Sequence, residues 1–233
     1  MGEIDIMKKL LLAVLFVGCL FSLVNLSAAE ITTNSNSSWY VFYPDVPWSQ
    51  GEMENVYGIN FGIPVTNSTV NVYGLNLGLI TCNTNYIYGV QMSPIANNSR
   101  NVEGLDLAFV NNTDDSVTGV QFGAFNNVNR DSDAVQFGIM NNVNNNASIC
   151  QLGVLANNVN NSFSGFQMAL VNNINNDLNG VQMAAINNVN KKLNGVQIGI
   201  INHASSGHGI QFGLINVIEN SWIPFMPLVN FSF

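Results

Sequence analysis

From residue 55 onward, apolar and polar positions return in a fixed order about every 15 residues. Aligned on one amide or carboxylate residue, the anchors are Asn60, Asn76, Gln91, Asp106, Gln121, Gln136, Gln151, Gln167, Gln182, Gln197 and Gln211. Around each stands Gly, an aliphatic residue, the anchor, an apolar residue, Gly or Ala, two apolar residues, then Asn-Asn. The segments 119–127 (GVQFGAFNN) and 180–188 (GVQMAAINN) are two copies. Self-similarity at a fixed short period is the mark of a repeat architecture. Each copy holds a β-type run of about five to seven residues, and Asn-Asn and Gly supply turn chemistry. A second apolar pattern sits inside these turns: Phe163, Leu178 and Leu193 at one position, Val128, Val143, Ile174 and Val189 at another. Those residues need a buried side.

That requirement favours an all-β solenoid of about eleven 15-residue coils stacked about 4.8 Å apart. Such a rod would be on the order of 50 Å long. Val120, Val135, Phe166, Val181 and Val196 are expected to line the core as one column, with Phe122, Phe137, Leu152, Met168, Met183 and Ile198 as the next. Stacked Asn and Gln are expected to bond their copies as amide ladders do in cross-β structures. With Val120, Phe122 and Ala124 inward, strand alternation turns Gln121, Gly123 and Phe125 outward. Ile80, Ile95, Phe125, Met140, Leu155, Val171, Ile186 and Ile201 then form an exposed apolar stripe suited to contact, unless that column turns inward before Asn-Asn. The alternative fold is an outer-membrane β-barrel with one strand per repeat, which even spacing and a terminal Phe231-Ser232-Phe233 would suit. Against it, only about three residues per repeat would face lipid, where a spanning strand needs about 9–11.

The ends differ from the middle, as capping segments do. Residues 1–29 read as a signal peptide: Lys8-Lys9, the uncharged apolar run from Leu10 to Leu23, and Ser27-Ala28-Ala29 before cleavage. A rival reading of Phe16-Val17-Gly18-Cys19 places a lipid on Cys19. Both send the protein out of the cytoplasm, to the cell surface, the outer membrane or the medium. Residues 30–54 form a linker with an aromatic cap at 39–44, residues 55–218 the repeats, and residues 219–233 a closing cap.

Composition narrows the partners. Of the residues from Glu30 onward 39 are Asn, yet apolar residues alternate with them too regularly for a disordered tract. The net charge is −8 and the few Lys and Arg are scattered, which excludes nucleic acid as a partner. Asp114, Asp115, Asp131 and Asp133 fall in successive turns and are the candidates for a cation site or a sugar-cleaving carboxylate pair, although Arg130 beside them suits charge compensation. His203 and His208 lack nearby partners for a metal site. Cys82 and Cys150 are expected about five coils apart, too far for a disulfide. No cofactor motif is present, and the chain reads as non-enzymatic.

The segment 195–202 (GVQIGIIN) and its copies resemble the repeat of bacterial surface-repeat proteins described first in spirochaetes, and 224–231 (PFMPLVNF) resembles their C-terminal signature. The resemblance covers roughly residues 55–233. It implies an exported, envelope-associated or surface protein and brings no catalytic residues with it; the structural or adhesive role is the reading of the repeat array itself.

Overall fold

In a chain with 15-residue periodicity, equivalent residues stack only if successive coils pair in parallel and in register. The computed structural model describes residues 43–45, 55–66 and 70–233. It contains thirteen strands and, among the described residues, no helix. These are β1 (Tyr43–Asp45), β2 (Asn55–Gly62), β3 (Asn71–Gly78), β4 (Thr81–Met92), β5 (Ala96–Leu107), β6 (Val110–Phe122) and β7 (Phe125–Val128). They are followed by β8 (Asp131–Val143), β9 (Ala147–Val159), β10 (Phe163–Met168), β11 (Val171–Ile174), β12 (Leu178–Ile218) and β13 (Phe225–Ser232). The signal segment, Cys19, most of the linker and the aromatic residues 39–42 lie outside the described residues.

The strands from β1 to β12 pair in parallel, each coil on the next. Asn60 pairs with Asn76, Asn76 with Gln91, Gln91 with Asp106, and Asp106 with Gln121, so the sequence anchors form one column. The column continues through Gln136, Gln151, Gln167 and Gln182. The fold is a β-solenoid and not a barrel: the sheet winds on itself in stacked parallel coils, and its first and last described strands do not pair with each other. Tyr57, Tyr73 and Tyr88 stack along its outside with ring centroids 4.8 and 4.9 Å apart, the spacing of adjacent coils.

Each coil turns four side chains inward. In the coil from Val117 these are Val117, Gln121, Asn126 and Val128, all buried. The apolar pair recurs as Phe163, Leu178 and Leu193 beside Val143, Ile174 and Val189, which are the turn residues whose periodicity demanded burial. In the first coils Thr84, Ser99 and Thr113 replace that second aliphatic column.

The expected facing of the main strand is reversed. Gln121 is 0% exposed and Phe122 57% exposed, and the columns headed by Val120 and Phe122 look outward. The reason is the stack itself. A buried Gln in an isolated strand costs several kcal/mol of lost hydration, but in register its copies above and below satisfy both ends of the amide. Gln136 donates through Nε2 to Gln121 Oε1 at 2.8 Å, Gln151 to Gln136 at 2.7 Å, and Gln167 to Gln151 at 2.6 Å. Gln182, Gln197 and Gln211 continue the ladder at 2.7–2.9 Å.

A second buried ladder runs the other way. Asn111 Nδ2 donates to Asn126 Oδ1, Asn126 to Asn141 and Asn141 to Asn157, at 2.7–2.8 Å. The same direction holds through Asn172, Asn187, Asn202 and Asn216. The second hydrogen of these amides ties the corner of the next coil: Asn126 Nδ2 also reaches the Phe137 carbonyl at 2.8 Å, and Asn202 Nδ2 the Phe212 carbonyl at 2.8 Å. An outer ladder from Asn83 through Asn98, Asn112, Asn127 and Asn142 to Asn158 accompanies them. The second Asn of each pair is thus bonded outside while the first is bonded inside.

The glycine two residues before the anchor has a steric origin. Gly104 and Gly119 have φ of 141° and 131°, and a Cβ at Gly119 would stand 2.1 Å from the Gly104 carbonyl oxygen. Ile149 occupies the same column with φ 76°. This is a left-handed conformation that a β-branched residue adopts only under strain.

The C-terminal cap follows the expectation of a closing segment, with one difference: β13 pairs antiparallel to the last coil, Gln211 opposite Asn230 and Phe212 opposite Val229. Reversal ends the parallel stack and leaves Gln211 Oε1 buried without a hydrogen-bond partner.

Two outcomes follow. Gln151→Leu breaks two ladder bonds and strands Gln136 Oε1 and Gln167 Nε2, so it should lower unfolding free energy by about 3–5 kcal/mol; Gln211→Leu, at the ladder's end, should cost only about 1–2 kcal/mol. Equal costs in chemical denaturation would show that the ladder does not act as a unit. Ile149→Gly should raise stability by about 1 kcal/mol through relief of the positive φ, read from the same denaturation curves.

Candidate functional site

The inversion of the main strand decides what the surface carries. At the corner after each Gln the amides face in, so the apolar residues around them face solvent. Phe122, Phe109, Leu170 and Ile200 are exposed by more than half, and Val154 by 68%. Ile80, Ile95, Leu155 and Ile186 are exposed as the stripe anticipated, while Phe125, Met140, Val171 and Ile201 are partly covered. The anticipated stripe is not one column: Phe125, Met140, Val171 and Ile186 align with Ala96 and Ala156, and Ile80, Ile95 and Leu155 stand one position earlier. The exposed edge joins that earlier position to the column of Met92, Phe122, Met168, Ile198 and Phe212. The column of Val120, Val135, Cys150, Phe166 and Val181 flanks it half-buried.

Charge is segregated from this edge. Arg100, Asp114, Asp115, Arg130, Asp131, Asp177, Lys191 and Lys192 all lie in the turns that follow the inner aliphatic column. Glu103 and Asp133 share the outward column of Thr118. The rod thus has an apolar edge over its amide ladders and a polar edge over its aliphatic columns. Core and surface are matched in reverse, and backbone alternation enforces this: whichever residues the ladders take inward, their neighbours go outward.

The four candidate aspartates do not converge on one point. Asp115 is held between Arg100 at 2.7 Å and Arg130 at 3.1 Å, and the Arg100 hydrogen bond keeps its carboxyl below the usual carboxylate range. Asp114 accepts from Asn129 at 3.1 Å, Asp131 from Asn145 at 2.9 Å, and Asp133 from Ser148 at 2.5 Å. Each carboxylate thus caps a polar ladder or balances an arginine. Two open depressions of about 430 Å³ lie on this polar edge, one lined by Asn85, Arg100 and Asp114, the other by Asp131, Asp133 and Ser162. Among the described residues no three of His, Cys, Asp and Glu come together as a metal site. His203 bonds Asn188 at 2.7 Å and Glu219 at 3.0 Å, while His208 is exposed. Cys82 and Cys150 are unpaired. Cys82 replaces the inner Asn of its coil, and burial pushes its thiol up to about 12, far from a reactive thiolate.

Sequence reasoning missed one titratable group in the core. Asp106 stands in the Gln column, buried, and desolvation raises its carboxyl to about 6 against the opposing hydrogen bonds of Asn97 and Gln121. Those bonds are 2.6 Å from Asn97 Nδ2 and 3.3 Å from Gln121 Nε2. An ionised Asp106 has no proton to pass to Gln91, and the preceding coils use a different route. Asn76 donates to Thr84 at 2.7 Å, Thr84 to Gln91 at 2.7 Å, and Gln91 to Ser99 at 2.9 Å. The signal for all this was in the repeats: from Gln121 to Gln211 the anchor is always Gln, whereas the outward apolar column drifts among Met, Leu, Phe and Ile.

Because the folded pKa of Asp106 lies above its unfolded value, its stabilising contribution is complete below about pH 4 and is lost as pH rises through about 6. The loss is at most on the order of 3 kcal/mol. Asp106→Asn should remove this slope and leave the protein more stable than the parent at pH 7.5. Denaturation midpoints of both proteins at pH 4.5 and 7.5 provide the check, and parallel pH profiles would refute the assignment. Comparison with known proteins brings no name to this arrangement: no family model, no curated protein and no solved structure matches the chain.

Proposed function

We propose that the protein is an exported, non-enzymatic structural or adhesive element of the cell envelope surface, working through its apolar edge. The observation that carries this reading is that edge itself: apolar side chains from Leu79 to Ile215 stay exposed along the solenoid while amides fill the core behind them. A monomer with no contact to make rarely keeps a contiguous apolar patch beyond about 300–600 Å². The reading also draws on the signal segment at residues 1–29 and on the resemblance of the repeat to bacterial surface repeats. The polar edge, with its ladders of Asn and its net acidic turns, is the side turned to water. Rigidity serves such a role, since every coil is bonded to its neighbours by backbone and side chain alike.

The test uses the full chain expressed in a bacterium. The parent should be protease-accessible on intact cells and remain with them through washing. A variant carrying Phe109→Lys, Phe122→Lys, Leu155→Lys and Leu170→Lys should appear in the medium instead, with at least a tenfold loss of the cell-bound fraction. A variant with four lysines on the polar edge (Asn129→Lys, Asn144→Lys, Asn160→Lys, Asn190→Lys) should stay bound. Release of the parent itself, or equal retention of all three, would sink the proposal.

A further inference from the structure

The apolar edge has an identifiable occupant, on the reading above that it is a contact surface: we infer that it is covered by the apolar edge of a second copy of this chain, forming a closed two-fold dimer. Three observations carry this. The first is area. Seventeen large apolar residues of the edge between Leu79 and Ile215 are each more than a third exposed. Together they present roughly 1,500 Å². A standard stable interface needs about 800 Å² from each partner, so one edge is enough for a self-dimer.

The second is shape. The outward ridges of Phe122 and its copies and of Ile139, Val154, Leu170 and Ile200 run on either side of a column of Gly and Ala: Ala108, Gly123, Gly138, Gly153, Ala169 and Ala184. At Gly123 a Cβ would point inward, 2.8 Å from Asn111 Nδ2 and 3.1 Å from Asn126 Oδ1, so the outer surface there is bare backbone. Ridge and bare strip repeat with the 4.8–4.9 Å coil spacing seen in the tyrosine stack. A second copy shares that spacing over the whole length, so side chains of one edge seat between those of the other, as in the dry interfaces of paired sheets.

The third is charge. Each copy carries −8, and like charges across an interface weaken it. Here the charged turns lie on the opposite edge, so two copies meet without bringing like charges together. Contact between identical patches closes at two rather than growing into a fibre, and the pair presents each remaining surface twice, so retention on the cell depends on the edge through the avidity of the dimer.

Sedimentation equilibrium of the full chain in detergent-free buffer at micromolar concentration tests this. The parent should have the mass of two chains. The variant with Phe109→Lys, Phe122→Lys, Leu155→Lys and Leu170→Lys should have the mass of one, its dissociation constant raised at least about 100-fold. Its circular dichroism and melting should keep the cooperative β-signal, because all four residues are already on the surface. The polar-edge lysine variant should remain dimeric. A parent that is monomeric and floats with phosphatidylcholine vesicles would overturn the second copy while leaving a contact surface in place. A monomeric parent that neither floats nor stays with cells would overturn both readings. A dimer that survives in the edge variant but is lost with Phe231→Lys would place the contact on β13 and overturn this one.

Discussion

The structure depends on the side-chain amide that bonds to its own copy one coil away. A buried Gln or Asn is expensive only when some of its donors and acceptors are left without partners. In a parallel, in-register stack each interior amide meets an identical amide on both sides, so one geometric condition satisfies the whole column. The condition is strict. A shift of a single residue would turn every Gln outward and every neighbouring apolar residue inward, and would unpair all ladders at once. The amides therefore act less as a source of net stability than as a means of specifying register, with the aliphatic columns of Val117, Val128 and their copies supplying the hydrophobic term.

The two interior ladders are polarised in opposite senses. Gln side chains donate toward the N-terminal neighbour and the inner Asn side chains toward the C-terminal one. Chains of hydrogen bonds polarise one another and strengthen cooperatively in a low-dielectric interior. A single such chain would build a dipole along the rod, whereas two antiparallel chains side by side cancel most of it. The ends show what termination costs: Asn60 Oδ1 and Gln211 Oε1 are buried without partners among the described residues. In the early coils Asp106, Thr84 and Ser99 break the amide column and replace it with a mixed network. That end holds the buried carboxyl whose pKa desolvation raises.

The apolar edge is a direct consequence of the same amides. Because the strand alternates, placing Gln and Asn inside at one corner obliges their apolar neighbours to stand outside at that corner, while Val117 and Val128 leave polar turns outside at the other. A solenoid of this kind is amphipathic along its length by construction. A contact surface on it needs no separate motif, and substitutions at Phe122 or Leu170 change that surface without entering the core.

The period, the parallel stacking, the solenoid, the burial of the turn aliphatics, the C-terminal cap and the unpaired cysteines were legible in the residues, because each follows from spacing that a one-dimensional string displays in full. The stripe through Ile80, Leu155 and Ile186 was legible only in part, because a one-residue register shift at Gly138–Met140 puts Leu155 and Ile186 in neighbouring columns. The facing of the main strand was not. Alternation states that Gln121 and Phe122 lie on opposite sides but not which side is inside, and a single strand read by hydrophobicity puts Phe122 in the core. Only the stack reverses this. A partner for Gln121 exists 15 residues away and nowhere nearer, and its presence makes burying the amide less costly than breaking the ladder. The same holds for the aspartates. Sequence placed Asp114, Asp115, Asp131 and Asp133 in neighbouring turns, and tertiary structure gave each a partner of its own and left the buried Asp106, inconspicuous in the string, as the carboxyl whose environment is unusual.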